Sequence, residues 1–91
     1  MENIKDIERT LKAMANKRRL SILRLLRKNG ETTVGEIAGE LRLSIKATSK
    51  HLAILSSVDI VNREQRGLRA YYHLTSLRAQ SPAARAILSL F

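Results

Sequence analysis

Apolar residues recur at spacings of three and four at Ile4, Ile7, Leu11 and Met14, which predicts a first helix with one apolar stripe and mixed charge on its other faces. Asn16 is a good N-cap for a second helix running through Leu20, Leu23 and Leu26 to Gly30, where glycine suits a left-handed C′ position. Ile22 and Leu25 widen its stripe, so this helix is expected to be central. Thr33-Val34-Gly35-Glu36 has the form of a capping box, in which hydroxyl and carboxylate satisfy each other's orphan amides. The third helix that follows carries Val34, Ile37, Ala38 and Leu41 on one narrow face and stops after two turns. Ser44 then caps a fourth helix with Thr48, Leu52 and Leu55 inward and Ile45, Lys46, Ser49 and Lys50 on the opposite side.

From Ile60 the period changes to two. Leu68, Ala70, Tyr72 and Leu74 alternate with Arg69, Tyr71 and His73, after Ile60-Val61-Asn62-Arg63, and this predicts a β-hairpin turning at Arg66-Gly67. Ser81-Pro82 opens a last helix through Ala84, Ile87 and Leu90. The predicted order is α-α-α-α-β-β-α, a mainly α fold with a small β-hairpin, in which only about three residues join the third and fourth helices. No linker, repeat or low-complexity tract divides residues 1 to 91, so one domain is expected, with 44% hydrophobic content for one modest core.

Charge adds a partner to this outline. Seventeen basic residues against eight acidic ones give a net charge of +9, a field that attracts polyanions and makes nucleic acid the default partner. The balance is segmental: Lys17 to Lys28 holds Lys17, Arg18, Arg19, Arg24, Arg27 and Lys28 with no acid, residues 29 to 41 are acidic through Glu31, Glu36 and Glu40, and Arg42 to His73 is basic again. No apolar run approaches the roughly 20 residues of a membrane-spanning helix, and no signal peptide is recognisable, so a cytoplasmic, nucleoid-associated protein with no membrane partner is expected. The chain has no cysteine, and His51 and His73 have no partner at metal-ligand spacing, so no metal or cofactor is expected. Neither an acid pair nor a phosphate-cradling glycine loop is present, and an enzyme is not expected.

Four segments in order carry a specific resemblance: Leu11-Lys12-Ala13-Met14-Ala15-Asn16 with Arg19-Leu20, then Thr33-Val34-Gly35-Glu36-Ile37-Ala38, then Ser49-Lys50-His51-Leu52, then Tyr71-Tyr72-His73-Leu74. Together they resemble the ArsR/SmtB family of bacterial and archaeal repressors, over residues 4 to about 75. The resemblance implies a winged helix-turn-helix that binds a palindromic operator as a homodimer and shuts off transcription, often releasing DNA when an effector binds. No effector is identified by the sequence.

The expected DNA-contacting residues are Arg42, Ser44, Ile45, Lys46, Ser49 and Lys50 in the helix-turn-helix and Arg63, Arg66 and Arg69 in the wing. Lysine reaches guanine O6 and N7, serine serves base edges or phosphate, and the wing arginines suit phosphates or the adjacent minor groove. The plainer readings are that Lys46 and Lys50 solvate an exposed face and that the wing arginines protect an edge strand. Ile45 either touches a thymine methyl or folds back on the turn. Lys17, Arg18 and Arg19 oppose the dipole of the second helix by about 0.3 to 1 kcal/mol each, either to meet phosphate or, for Arg19, to pair internally. Dimerisation is expected through Ile4, Ile7, Leu11 and Met14 with Ala84, Ile87, Leu90 and Phe91, in terminal helices 3–15 and 81–91.

The chain departs from the family pattern in two ways. Thr33 and Gly35 stand where metal-sensing members have paired cysteines, and Ser81 to Phe91 lacks the aspartate and histidine that others use, so thiolate or last-helix metal sensing is not expected. Arg42 and Asp59 replace two usual glycines at left-handed positions, each at a cost of about 1 to 2 kcal/mol. Either the turn is distorted at Arg42 or Arg42 reaches a phosphate. The reading is therefore a sequence-specific transcriptional regulator of the repressor type. A non-sequence-specific architectural DNA binder and a winged-helix protein-interaction adaptor are the alternatives.

Overall fold

A computed structural model describes residues 3–91. The element order is α1 (Ile4–Met14), α2 (Lys17–Asn29), β1 (Thr32–Thr33), α3 (Val34–Leu41), α4 (Ile45–Ser57), β2 (Val61–Arg66), β3 (Arg69–Leu74), a single 3-10 turn (Leu77–Ala79) and α5 (Pro82–Leu88). All five α-helices begin at a side chain that accepts a backbone N–H of the first turn: Asn3, Asn16, Thr33, Ser44 and Ser81. Each such cap contributes about 1 kcal/mol and fixes where the helix starts. At Thr33 the box closes differently from expectation: the hydroxyl accepts from Glu36 N at 3.2 Å, and it donates to the Glu36 carboxylate at 2.8 Å.

β1 is the element that periodicity does not announce. Two residues are too few to show an alternation, and Thr33 serves both as the cap of α3 and as a strand residue, because its extended backbone (φ −79°, ψ 158°) suits both roles. The sheet is therefore three-stranded and antiparallel, in the order β1-β3-β2, with Thr32 opposite Tyr72 and Val61 opposite Leu74. Its hairpin turns one residue later than expected, with Arg66 paired to Arg69 around Gly67-Leu68. Gly67 has φ +60° at the first loop position, where a two-residue hairpin of the II′ class calls for glycine.

α2 is central, packing against α3, α4, α5 and β3. Its Ile22, Leu23 and Leu26 join Ile37, Leu52, Leu55, Ile60, Val61 and Tyr72 in one core. Met14 and Ala84 belong to the same core, at 2% and 1% exposure. This corrects the expected α1 stripe. The core side of α1 is Thr10, Ala13 and Met14, while Ile4 and Leu11 stay outside at 85% and 42% exposure.

Helices α3 and α4 end alike. Leu43 N reaches Ala38 O at 2.9 Å with Arg42 left-handed (φ 55°, ψ 45°), and Ile60 N reaches Leu55 O at 3.2 Å with Asp59 at φ 59°. Both are Schellman closures with a non-glycine residue at C′. The turn at Arg42 is thus undistorted: the backbone keeps the geometry glycine would adopt and carries the strain.

Candidate nucleic-acid interface

Three residues, Arg42 to Ser44, separate α3 from α4. The Ser44 hydroxyl accepts from Ala47 N at 3.0 Å, and the Thr48 hydroxyl donates to Ser44 O at 2.8 Å. With Thr48, Leu52 and Leu55 wholly buried, the rotation of α4 about its axis is fixed. Ile45, Lys46, Ser49 and Lys50 then stand exposed on its outer face, as expected. Ile45 is 58% exposed and so is not folded into the turn. Neither lysine has an ion-pair partner among the described residues, which leaves two uncompensated cations on the first two turns of the helix.

A second restraint on α4 comes from His51. Its Nδ1 lies 3.3 Å from Nη1 of Arg19, whose Nε donates to the carbonyl of Ala13. Arginine only donates, so this contact calls for an unprotonated Nδ1 and favours the neutral ring. Burial first, and then the charges of Arg19 and Arg18, push the His51 pKa below its ordinary value. Arg19 therefore pairs internally and ties α4 to the end of α1. The sequence left this choice open because the partners lie 32 residues apart.

The wing arginines divide between two faces. Strand alternation puts Arg63 on the side of Tyr72, lining a groove with Ser49 and Ala53 of α4, and puts Arg66 and Arg69 on the side of Tyr71. Arg66 is not a free cation. Its guanidinium donates to both carboxylate oxygens of Glu31 and to Glu64 at 2.9 Å, and it lies 4.7 Å over the Tyr71 ring. These hydrogen bonds hold the Glu64 carboxyl below the usual range and raise the Arg66 pKa further. Arg66 thus tethers the wing to the α2–β1 connection through exposed ion pairs. Arg63 donates to Gln65 at 2.6 Å, and Arg69 has no ion pair among the described residues. Glu31 was missed because its partner lies 35 positions away, with no local pattern to mark it.

Of the expected dimer residues, Ala84 lies in the core, and Met14, although 2% exposed, borders the same hollow as Leu11, Ile87, Leu90 and Phe91. Leu11, Leu20, Ile87, Leu90 and Phe91 line an apolar hollow of about 270 Å³ between α1 and α5. Leu90 is 75% exposed and Phe91 38%, beside Ile4 at 85%. Among the described residues no group of three or more His, Cys, Asp and Glu is placed to hold a metal, and no helix is long and apolar enough to cross a membrane.

A short helix, a three-residue turn, a capped helix with outward cations and a flanking hairpin define a winged helix-turn-helix domain of the transcription-regulator type. The family profile described as bacterial regulatory protein, arsR family, matches residues 16–63. The chain belongs to that family. It is 44% identical over 71 residues to the transcriptional activator HlyU of Vibrio cholerae, a match covering 78% of this chain but only 65% of that relative. It is 30% identical over 73 residues to the arsenical resistance operon repressor of Bacillus subtilis, covering 80% of this chain and 70% of the relative. Among solved structures, a homodimeric winged helix-turn-helix DNA-binding domain from Mycobacterium bovis superposes with TM-score 0.82 at 32% identity, over 96% of this chain and 76% of that one.

Proposed function

We propose that the protein binds a palindromic operator in duplex DNA as a homodimer and represses transcription from it. The observation that carries this reading is α4: a rigidly capped helix whose buried face is fixed and whose exposed first turns present Lys46, Ser49 and Lys50. A major groove accepts such a helix, and lysine and serine supply donors for guanine edges and phosphates. Ile45 adds an apolar contact suited to a thymine methyl, Ser44 holds the helix start, and Arg63 and Arg69 supply wing cations for the flanking backbone.

Homodimerisation follows from the α1 and α5 face. Ile4, Ile7, Leu11, Ile87, Leu90 and Phe91 leave apolar area in water, and covering it with the same face of a second copy gives a twofold pair with two recognition helices. The Mycobacterium bovis domain is homodimeric by its description, which supports the same arrangement here. A dimer spanning consecutive major grooves excludes other proteins from that stretch of DNA without any further part, and for this reason we favour repression. With no cysteine in these 91 residues, the regulator is not a thiolate metal sensor.

Titration of a promoter duplex with the protein tests the reading. Two chains per duplex and fewer transcripts from that promoter in a purified transcription reaction are expected. One chain per duplex, or more transcripts, would contradict it. Equal affinity for every duplex would favour the architectural alternative that the +9 charge also suits.

A further inference from the structure

The turn between α3 and α4 faces the start of α2, and the two together enclose an open groove of about 440 Å³ lined by Asn16, Lys17, Arg18, Ser21, Arg42 and neighbouring leucines. Three of these side chains are cations, none is acidic, and none of the three has an ion pair among the described residues. Two features of the groove cost stability. Lys17 and Arg18 occupy the first positions of α2, where the helix dipole disfavours positive charge, and α2 has no acid in that turn to offset it. Arg42 holds a left-handed backbone that glycine would adopt without strain. Residues 25 positions apart in the sequence thus converge on one concave, uncompensated positive surface, which Arg42 and Leu43 join directly to Ser44, the cap of the recognition helix.

We propose that this groove is a phosphodiester clamp: Lys17, Arg18 and Arg42 grip a backbone phosphate at the edge of the major groove that α4 enters. The inference rests on the DNA-binding reading and adds to it a contact outside the recognition helix and wing. A phosphate there positions α4 and carries no sequence preference of its own. Its negative charge also compensates the opposed dipole at α2, so that cost is recovered on DNA. The orientation of the turn supports this assignment, since the N-terminal end of a recognition helix is the end that meets the groove and its bordering phosphates.

Arg42→Gly separates the clamp from a merely structural role, because it keeps the left-handed turn while removing the guanidinium. Affinity and its salt dependence are measured for wild type, R42G and the K17Q/R18Q pair, on a duplex recovered by selection from random DNA and on an unrelated duplex. For R42G the clamp predicts about fivefold weaker binding per subunit on both duplexes, a salt slope smaller by about 0.9 per subunit, and a Tm higher by about 3 °C. For K17Q/R18Q it predicts a slope smaller by about 2 per subunit with the preference between duplexes unchanged. Variants that bind with wild-type affinity and slope would overturn the clamp while leaving the DNA reading intact. Variants that keep DNA binding but lose thermal protection by inorganic phosphate would overturn it in favour of a free-anion site. A wild type that binds neither duplex would instead remove the DNA reading itself.

Discussion

The recognition end of the molecule and the α1–α5 face leave opposite kinds of side chain in water. In α4 the large apolar side chains of the buried face, Leu52 and Leu55, turn inward with Thr48, and the outer face of the first two turns carries Lys46, Ser49 and Lys50 beside a single apolar Ile45. In α1 the relation is reversed: Thr10, Ala13 and Met14 face the core while Ile4 and Leu11 are exposed. The difference teaches what hydrophobic periodicity measures. A stripe marks apolar area that needs cover: in α4 the subunit's own core supplies it, whereas Ile4 and Leu11 of α1 stay exposed.

Breaking the apolar face has the largest expected effect. Leu11→Arg places a cation in the centre of the exposed patch, and we expect self-association to weaken about 100-fold and DNA affinity to fall with it, as read by sedimentation equilibrium and band shift, while the helical circular dichroism is retained. Met14→Arg, three residues on, is expected to unfold the chain because Met14 is 2% exposed. If both substitutions behaved alike, the division of α1 into inner and outer faces would be wrong.

The recognition side answers to smaller changes. Lys50→Ala is expected to lower cognate affinity by about 1 to 3 kcal/mol and to relax sequence preference, with dimerisation unchanged. An equal loss on cognate and random duplexes would reduce Lys50 to a phosphate contact.

His51 connects the two regions through Arg19 and Ala13, and its effect is smaller still. The fold favours the neutral ring, so as pH falls below the ordinary 6.5 the unfolded chain takes up the proton before the folded one. Stability is therefore full above that pH and declines below it, until the folded ring also titrates. His51→Gln keeps an acceptor for Arg19 and removes the titration. The variant should lose less stability between pH 7.5 and pH 5 than the wild type in urea unfolding. An identical pH dependence would show that His51 does not carry it.

The smallest effect is expected from metals: arsenite or zinc should leave DNA affinity unchanged, since no thiolate exists in these 91 residues to bind them. A tenfold release would point to ligands that have not been assigned.

Legibility in the sequence followed the range of the interactions. Asn16, Thr33, Ser44 and Ser81 could be read as caps because a cap involves residues two or three positions apart, and the inner face of α4 follows from a single period. The left-handed positions of Arg42 and Asp59 came from the resemblance, and the structure confirms both φ values. What was hidden is non-local. β1 is too short to have a period, the Arg66–Glu31 tether spans 35 residues, and the burial of Thr10 and Ala13 in place of Ile4 and Leu11 depends on what α1 packs against. The same holds for the groove that unites Lys17 and Arg18 with Arg42, since neither cluster alone marks a site.

Selection of binding sites from random-sequence DNA with the full chain tests the central claim most directly. The account predicts a twofold palindrome whose half-sites lie about 10 base pairs apart centre to centre, the spacing of two recognition helices on one face of the duplex. Recovery of sequences with no shared motif, or of a single unpaired half-site, would contradict it.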